Sequence, residues 1–571
     1  MIAMDHTGGR WLAAISVIVA ILLFSIPQST YAQAELLPLE HPATRALIRI
    51  YEYGGIPEFP REHLPISRKL ALELFNQALR DTTLPQGLRT QAEYYRVELV
   101  ADGGDIPVSV IIPVTGQEPL LFEDPVASRP IAILEYRDTA NDARVIFEPV
   151  LDGDLRLDRE TSSKAVIVRG GAQLRGTLLD HLGFSARITN GTVAGDSALA
   201  ARDPRIVGSG SFSITAYGRD ILLADGHVRA DFDQVAVEVG HEMVQLGGGL
   251  ESGLLLGSVL PSNYDYLRLG ARVGKFAFTH IHAALLGEAA SIGSGPFSDL
   301  EQKYLAAHLL TVGPFAGLRL SLGESVIYHG RGLELGYLNP LLFIKSQEQY
   351  LRDRDNANMY LALSAAPVDG LFLEGELMLD DLRFSLIGDG FWGNKSAWRV
   401  ALRTTAIPLD MVDFGLSYMR LEPYTFSHFN PGNAYTHAGV VLAGGGMQPN
   451  SHLVEGRLSI HLLPNLRIGT IIGIGEHGAN ITQRNSSTGA DTLIYNAGGD
   501  VFQTRRAVED SMTVRFLDGT LEKIMRGRVE VEYEPLRNLY LRFIFLSNKV
   551  TRPEGTFQDT QAQFGIRIGA F

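Results

Sequence analysis

The feature that most limits what this chain can become is a hairpin pattern repeated through its second half, with arms of about eleven residues, the reach a tilted strand needs to cross a bilayer. Between Asn356 and Asp380, Met359, Leu361, Leu363 and Ala365 alternate with Asn358, Tyr360, Ala362 and Ser364. The turn Pro367-Val368-Asp369-Gly370 follows, and Leu371, Leu373, Leu377 and Leu379 then alternate with Phe372, Glu374, Glu376 and Asp380. Neighbouring strand residues point to opposite faces, so each arm has one apolar face and one mixed or charged face.

The pattern recurs. Pro314 to Gly317 separates His308, Leu310 and Val312 from Leu318, Leu320 and Leu322. Pro408 to Asp410, Pro464-Asn465 and Pro535 to Asn538 divide three further pairs of arms, and Arg528, Glu530, Glu532, Glu534 and Arg542 occupy the second face of the last pair. A soluble sandwich would use shorter strands, whereas long arms with charges opposite the apolar face predict a barrel with lipid outside and a polar lumen. The proline turns fall at one end of the arms. The longer links, 324–354, 382–397, 421–434 and above all 475–523, fall at the other. Short turns belong in the periplasm and long loops outside the cell. The fold class predicted for residues 106–571 is therefore mostly β, a transmembrane antiparallel β-barrel of about 18 strands, wide enough for a channel unless something fills it.

Ahead of the barrel the period changes. Arg10, the apolar run Trp11 to Ile26 and the small-residue site Ala32-Gln33-Ala34 predict a secretory signal peptide over residues 1–34, cleaved on export. The barrel then predicts the cell outer membrane of a Gram-negative cell as the destination. Residues 35–105 read as a periplasmic helical bundle. Pro42 and Gly54-Gly55 bracket a first helix, Ser67 caps a second with Leu70, Leu74, Phe75, Ala78 and Leu79 on one face, and Pro85 opens a third carrying Leu88, Ala92, Tyr95 and Leu99. These faces should pack on each other or cap something larger.

Composition excludes several functions. The formal charge is −14 with no basic block, which argues against nucleic acid as a partner. With no cysteine among 571 residues, thiolate metal sites, cysteine nucleophiles, disulfides and a lipid-carrying amino-terminal cysteine all fall away. The terminal Phe571 suits the barrel-insertion machinery, although it is out of phase with the apolar face of Phe564, Ile566, Ile568 and Ala570.

Catalytic signals are weak. There is no Gly-x-Ser-x-Gly elbow and no phosphate loop. Gly473-Ile474-Gly475-Glu476-His477-Gly478 matches a dinucleotide pattern but opens no helix, and Gln245 stands where His241-Glu242 would need a second zinc-ligating His. His280 and His282 share one strand face, either as a metal pair lacking a third ligand or as polar residues facing the lumen. Glu374, Glu376 and Asp380 are either an acid–base set or hydrated lumen charges. The expectation is no catalytic residue, cofactor or metal, and no enzyme activity.

The segment Ser325-Val326-Ile327-Tyr328-His329-Gly330-Arg331-Gly332-Leu333-Glu334-Leu335-Gly336-Tyr337-Leu338-Asn339-Pro340 resembles the Wzi capsule assembly family. So do Lys303 to His308 before it, and Arg354-Asp355-Asn356 and Glu374 to Asp381 after it. His41-Pro42, Pro65-Ile66-Ser67-Arg68 and Gly444-Gly445-Gly446-Met447-Gln448-Pro449-Asn450 are similar to further parts of that family. The resemblance implies an outer-membrane barrel with a periplasmic helical bundle and a blocked lumen. It also implies a lectin-like protein that binds capsular or other extracellular polysaccharide and helps attach or assemble the capsule, without catalysis. It carries no sugar-contact motif that transfers residue by residue, and the 475–523 loop has no counterpart in it.

Sugars are held by aromatic faces and planar polar groups. The long links supply Tyr328, Tyr337, Tyr350, Trp392, Tyr424, Phe426, Phe429 and Tyr435, with Arg331, Asn339 and Arg352 nearby. The candidate carbohydrate-binding residues are Tyr328, Arg331, Tyr337, Asn339, Trp392 and Tyr424. The same aromatics also fit the interfacial girdle of any such barrel. Tyr337-Leu338-Asn339-Pro340 is expected to fold inward and narrow the lumen. The partners expected are polysaccharide, outer-membrane lipid and the insertion machinery. A porin-like diffusion channel is the alternative, and a barrel enzyme acting on lipid would need a Ser-His pair on the outer face.

Overall fold

The computed structural model describes residues 33–103, 134–138, 142–203, 206, 212–215, 218–249, 251–257, 263–287, 302–484 and 491–569, with two short strands, Ser109–Val110 and Ile131–Ala132. Of the predicted signal peptide, all but Gln33 and Ala34 lies outside the described residues, as does Phe571.

Eighteen long antiparallel strands close into a barrel. In chain order they are β1 (Ala143–Asp158), β2 (Lys164–Leu178), β3 (Leu182–Gly195), β4 (Gly218–Asp231), β5 (Val235–Glu242), β6 (Tyr264–Val273), β7 (Phe276–Leu285), β8 (Lys303–Phe315) and β9 (Leu318–His329). Then follow β10 (Asn356–Val368), β11 (Leu371–Asp381), β12 (Lys395–Thr405), β13 (Val412–Leu421), β14 (Ser451–Leu463), β15 (Leu466–Ala479), β16 (Thr520–Leu536), β17 (Leu539–Arg552) and β18 (Gly555–Ile568). The seam pairs β18 with β1, from Gln561 opposite Asp158 to Ile568 opposite Leu151, and the short strand Leu134–Asp138 extends the seam along the start of β1. Closure removes the free edges that an open sheet would present.

The alternation read from sequence sets the two faces. Leu320, Leu322, Leu361, Leu363, Leu402, Leu416, Ile472, Leu541, Phe564 and Ile566 are exposed and form an apolar outer belt. The long link predicted over 475–523 is shorter than expected, because β15 runs on to Ala479 and β16 begins at Thr520. Gly473 to Gly478 lie within β15, in extended backbone.

The helical head seats itself in the end of the barrel that carries the proline turns. Helix α1 (Pro42–Tyr53) starts where His41 Nδ1 accepts from the amide of Ala43, at 3.1 Å, and stops where Gly54 adopts φ 112°. Helices α2 (Arg68–Arg80) and α3 (Gln86–Gly103) complete a core of Leu47, Ile50, Phe59, Leu72, Phe75, Leu88 and Leu99, which continues onto Phe372 and Ala406 of the barrel. Polar contacts fix its seat. The amide of Gly370 donates to Tyr53 O at 2.8 Å, the Tyr95 hydroxyl to Pro464 O at 3.2 Å, and Arg537 Nη1 to Glu98 Oε2 at 2.8 Å. The head both packs on itself and caps the barrel.

A second plug enters from the loop end. The chain after β5, described at 243–249 and 251–257, turns into the lumen, and the link 422–450 follows it. The two ends meet inside, where His63–Leu64 of the head pairs antiparallel with Gln245–Leu246. Tyr435 donates to Leu255 O at 2.9 Å, and the Gly444 amide to Gly253 O at 2.8 Å. Leu246, Leu254, Leu255, Ile281, Leu305, Leu309, Tyr360, Phe426 and Leu442 form one buried core with the barrel wall. Each such leucine contributes roughly 1.5–3 kcal/mol relative to exposure. Gly248 allows the approach, since a Cβ there would stand 2.5 Å from Glu374 Oε1.

Two sequence expectations are corrected. Tyr337 to Pro340 do not fold inward: Tyr337 and Ile344 pack on Ala306, Val326, Tyr328 and Ala357, which share the outward face with the exposed Leu310, Leu320, Leu322 and Leu361. His280 and His282 likewise point outward, in phase with Phe276, and not into the lumen. The assumption that polar means lumen-facing fails here because the lumen side of β7 packs on an apolar plug through Ile281.

Candidate functional site

At the loop end, above the packed part of the lumen, lies a narrow pocket of about 120 Å³. Its floor comes from strand ends: Asn356 at the start of β10, Asp380 and Asp381 at the end of β11, and Lys395 at the start of β12. Its walls come from links, with Glu348, Asp353 and Asp355 from 330–355, Trp392 from 382–394, His428 and Phe429 from 422–450, and Thr504 and Arg505 from 480–519. The barrel thus gathers residues from widely separated parts of the chain onto one rim.

Hydrogen bonds hold the floor in place. Lys395 Nζ lies 2.9 Å from Asp381 Oδ2 and 3.6 Å from Asp380 Oδ1, and donates to Ser427 O at 3.0 Å. Asp380 Oδ2 accepts from the amide of Phe426 at 2.6 Å. Trp392 is held by its backbone to Met512 O, stands edge-on to Tyr424 at 5.6 Å between ring centroids, and has the Arg505 guanidinium 5.2 Å from its own ring centre. The indole N–H of Trp392 is shielded from solvent and has no acceptor among the described residues. Phe429 is exposed, beside His428 at 4.1 Å.

Two of the link residues that line the pocket have displaced titrations. Burial pushes the Glu348 carboxyl up to about 7, against the opposing pull of Lys345, 2.6 Å away. Burial, helped by the Lys395 charge, holds His428 down to about 4, so its ring is neutral at physiological pH. The pocket therefore offers ring faces, carboxylate acceptors and cationic donors in one small space. That combination suits hydroxyl-rich ligands, whose C–H patches lie on aromatic faces while their hydroxyls exchange hydrogen bonds.

The six candidate residues separate into two groups. Trp392 lines the pocket, and Tyr424 lies fully buried behind it, donating to Asn496 O at 2.9 Å. Tyr328, Arg331, Tyr337 and Asn339 belong to the outer face or to the link folded against it. Tyr328 accepts a 4.7 Å stacking contact from Arg331, whose two nitrogens reach Asp355 at 2.9 and 2.6 Å, and Tyr337 donates to Asp355 at 2.8 Å. Asp353, Asp381, Lys395, His428 and Arg505 were missed by the sequence reading. The signal available for them was position, since each sits at a strand end or in a link on the rim that carries Trp392.

The carboxylates considered for catalysis are engaged elsewhere. Glu374 meets Arg61 of the head at 2.5 Å and Arg399 at 2.7 Å, and Glu376 accepts from Tyr360 at 2.7 Å. They clamp both plugs to the wall. Among the described residues no group of three or more His, Asp or Glu side chains is arranged to hold a metal ion.

A larger cavity of about 640 Å³ lies below, between the head and the wall formed by β12 to β18 and β1. Arg45, Arg403, Arg457, Arg467, Arg528, Arg542 and Arg567 face Glu251, Asp413, Glu530, Glu532, Asp152 and Asp154 around it.

A closed barrel of eighteen strands with an apolar belt, short turns at one end, long links at the other and a plugged lumen has the architecture of an outer-membrane β-barrel. Neither a protein-family model nor a curated protein sequence matches the chain. Among solved structures it is similar to Wzi of Escherichia coli, an outer membrane protein involved in group 1 capsule assembly and a carbohydrate-binding β-barrel, with a TM-score of 0.56 and 11% identity over 94% of this chain and 99% of that one. OprD of Pseudomonas aeruginosa aligns at a TM-score of 0.44 and 13% identity, over 75% of this chain and 95% of that one. At 11% identity the likeness to Wzi establishes a shared fold.

Proposed function

We propose that this chain is an outer-membrane barrel of the Wzi capsule assembly family that binds a capsular or other surface polysaccharide at its outer rim, without catalysis. The proline-turn end and its helical head face the periplasm, and the long links face outward. The observation that carries the reading is the rim pocket, where Trp392 and Phe429 stand beside Asp381, Lys395 and Arg505 above a lumen plugged from both ends. The fold shared with a carbohydrate-binding barrel supports it.

Binding of purified polysaccharide by the detergent-solubilised protein, together with capsule retention on cells, tests the proposal. Trp392→Ala removes an aromatic face worth on the order of 0.5–1.5 kcal/mol, which weakens affinity about two- to twelve-fold per site. Multivalent attachment to a polymer amplifies that loss. Glu376→Gln, behind the plug, leaves binding unchanged if the fold survives. Unaltered retention by Trp392→Ala, with loss of a chemical turnover by Glu376→Gln, would replace the lectin reading with an enzyme.

The charged cavity of about 640 Å³ supports a second reading, a narrow diffusion path beside the plug. Single-channel recording separates the two, since a lectin with a sealed lumen conducts no steady current.

A further inference from the structure

The link between β9 and β10 does something unusual for a loop on the outer rim. From Gly330 it turns down the outside of the barrel, and its short helix α4 (Ile344–Tyr350) lies against the wall. The amide of Ile344 donates to Glu324 Oε2 at 2.8 Å, and that of Glu334 to the Tyr328 hydroxyl at 3.2 Å. Glu324 and Leu322 are two residues apart on the same outward face of β9, about 6.5 Å along the strand. Leu322, 61% exposed, belongs to the apolar belt, so the link reaches the upper part of that belt.

The two sides of the link differ in character. Its inner side covers a polar patch, in which Glu324 lies 3.1 Å from His308 Nε2 and His282 Nε2 lies 2.7 Å from the Tyr328 hydroxyl. Between residues 333 and 343 its outer side is mostly apolar: Leu341 is 90% exposed and Leu335 78%, with Leu333 and Phe343 also bare. The exposed residues from Ser346 to Arg354, by contrast, are mostly polar or charged and lie toward the rim pocket. A water-facing loop gains nothing from such an outer side. Polar groups on a barrel's lipid face are costly, and a cover with an apolar back resolves that cost.

We infer that the 333–344 stretch of this link is embedded in the outer leaflet, its inner side shielding the polar patch of β7 to β9 and its outer side, through Leu335, Leu341 and Phe343, in contact with lipid acyl chains, while the polar 346–355 stretch stays at the rim. The inference rests on the proposed membrane location of the barrel. The occupant is acyl chain because the bare surface is continuous with the belt at Leu322.

Because the chain has no cysteine, single cysteines report one position each. Leu335→Cys and Leu341→Cys remove little packing, Leu322→Cys marks the belt and Glu509→Cys marks an exposed outer link. Each variant of the full chain carries a nitroxide and is reconstituted into phosphatidylcholine–phosphatidylglycerol vesicles. Relaxation is then compared for oxygen, which concentrates among acyl chains, and a water-soluble nickel chelate. The expected result is that positions 335 and 341 follow 322, with oxygen dominant, while 509 shows the inverted ratio. Nickel dominance at 335 and 341 with oxygen dominance at 322 overturns the inference and leaves the barrel reading intact. Protection from both reagents, with disulfide-linked dimers of Leu341→Cys, assigns the face to a second copy and also overturns it. Nickel dominance at 322 itself overturns the membrane location, and the inference with it.

Discussion

The two sides of the lumen are built on opposite principles. Along β6 to β11 the wall is welded to the plug by apolar residues, with Leu254, Leu255, Ile281, Leu305 and Leu309 all fully buried, and by one buried ion cluster, in which Glu374 holds Arg61 of the head. Along β13 to β18 the wall meets the plugs mainly through ion pairs, such as Arg457 with Glu251 at 3.0 Å and Arg49 with Asp413 at 2.7 Å, around a cavity of about 640 Å³. Burying ions in a dry interior costs several kcal/mol each, whereas charges lining a roomy cavity stay hydrated. The plug is therefore fastened by buried contacts on one side and faced by partly hydrated ion pairs on the other. Its stability should reside in the fastened side.

The hardest blow to that asymmetry is Glu374→Ala, which strips the Arg61 and Arg399 guanidiniums of their shared buried partner. The expected loss is about 3–5 kcal/mol of plug docking, read as new single-channel conductance and faster proteolysis of the head. Leu255→Ala, in the apolar weld, should cost about 2–5 kcal/mol in thermal unfolding of the detergent-solubilised barrel, with the spread set by how far the site collapses.

Acid provides a gentler lever on the fastened side. His63 of the head bonds Thr279 and Thr311 of the wall at 2.9 Å each, and burial, aided by Arg319 and Arg268, holds it down to about 4. Its neutral form is the folded one, so its contribution is complete above the ordinary histidine pKa of about 6.5 and is lost as pH falls toward 4. Docking should weaken by roughly 2 kcal/mol between pH 7.5 and 5, and His63→Gln should flatten that slope in the same conductance assay. On the faced side, Glu532→Gln removes the partner of Arg45 at 2.5 Å, yet both groups remain partly hydrated. A change below about 1 kcal/mol in melting is expected. An effect there as large as that of Leu255→Ala would break the comparison.

Much of this was legible beforehand, for a physical reason. Arms such as Met359 to Ala365 and Leu371 to Leu379 repeat a period of two at bilayer length, and only a barrel satisfies every backbone group of such strands in lipid. Helices announced themselves through His41-Pro42, Gly54 and Ser67, because caps are local chemistry. The inward run 243–257 was not foreseen. Its hint was Gly247-Gly248-Gly249 followed by Leu254-Leu255-Leu256, an apolar stretch with room for close contact in what should have been a hydrated link. The direction of Tyr337 to Pro340 was not legible, because aromatic and apolar residues look the same whether the partner is the lumen or the outer wall. Of the rim pocket, Trp392 was picked out as an aromatic, but Lys395 and Arg505 lie 110 residues apart in sequence and meet only through closure of the barrel.

The seam between β1 and β18 also sets a schedule. Asp152 meets Arg567 at 2.7 Å across 415 residues, and Glu98 waits for Arg537 across 439. The head's own core, from Leu47 to Leu99, closes within about fifty residues of sequence, whereas the cylinder cannot shut until the last strand has been made. Contacts so distant in sequence form slowly, because the intervening chain must first be drawn together. The head is thus available as a former around which later strands are laid, and a chain lacking it has to find its circumference unaided.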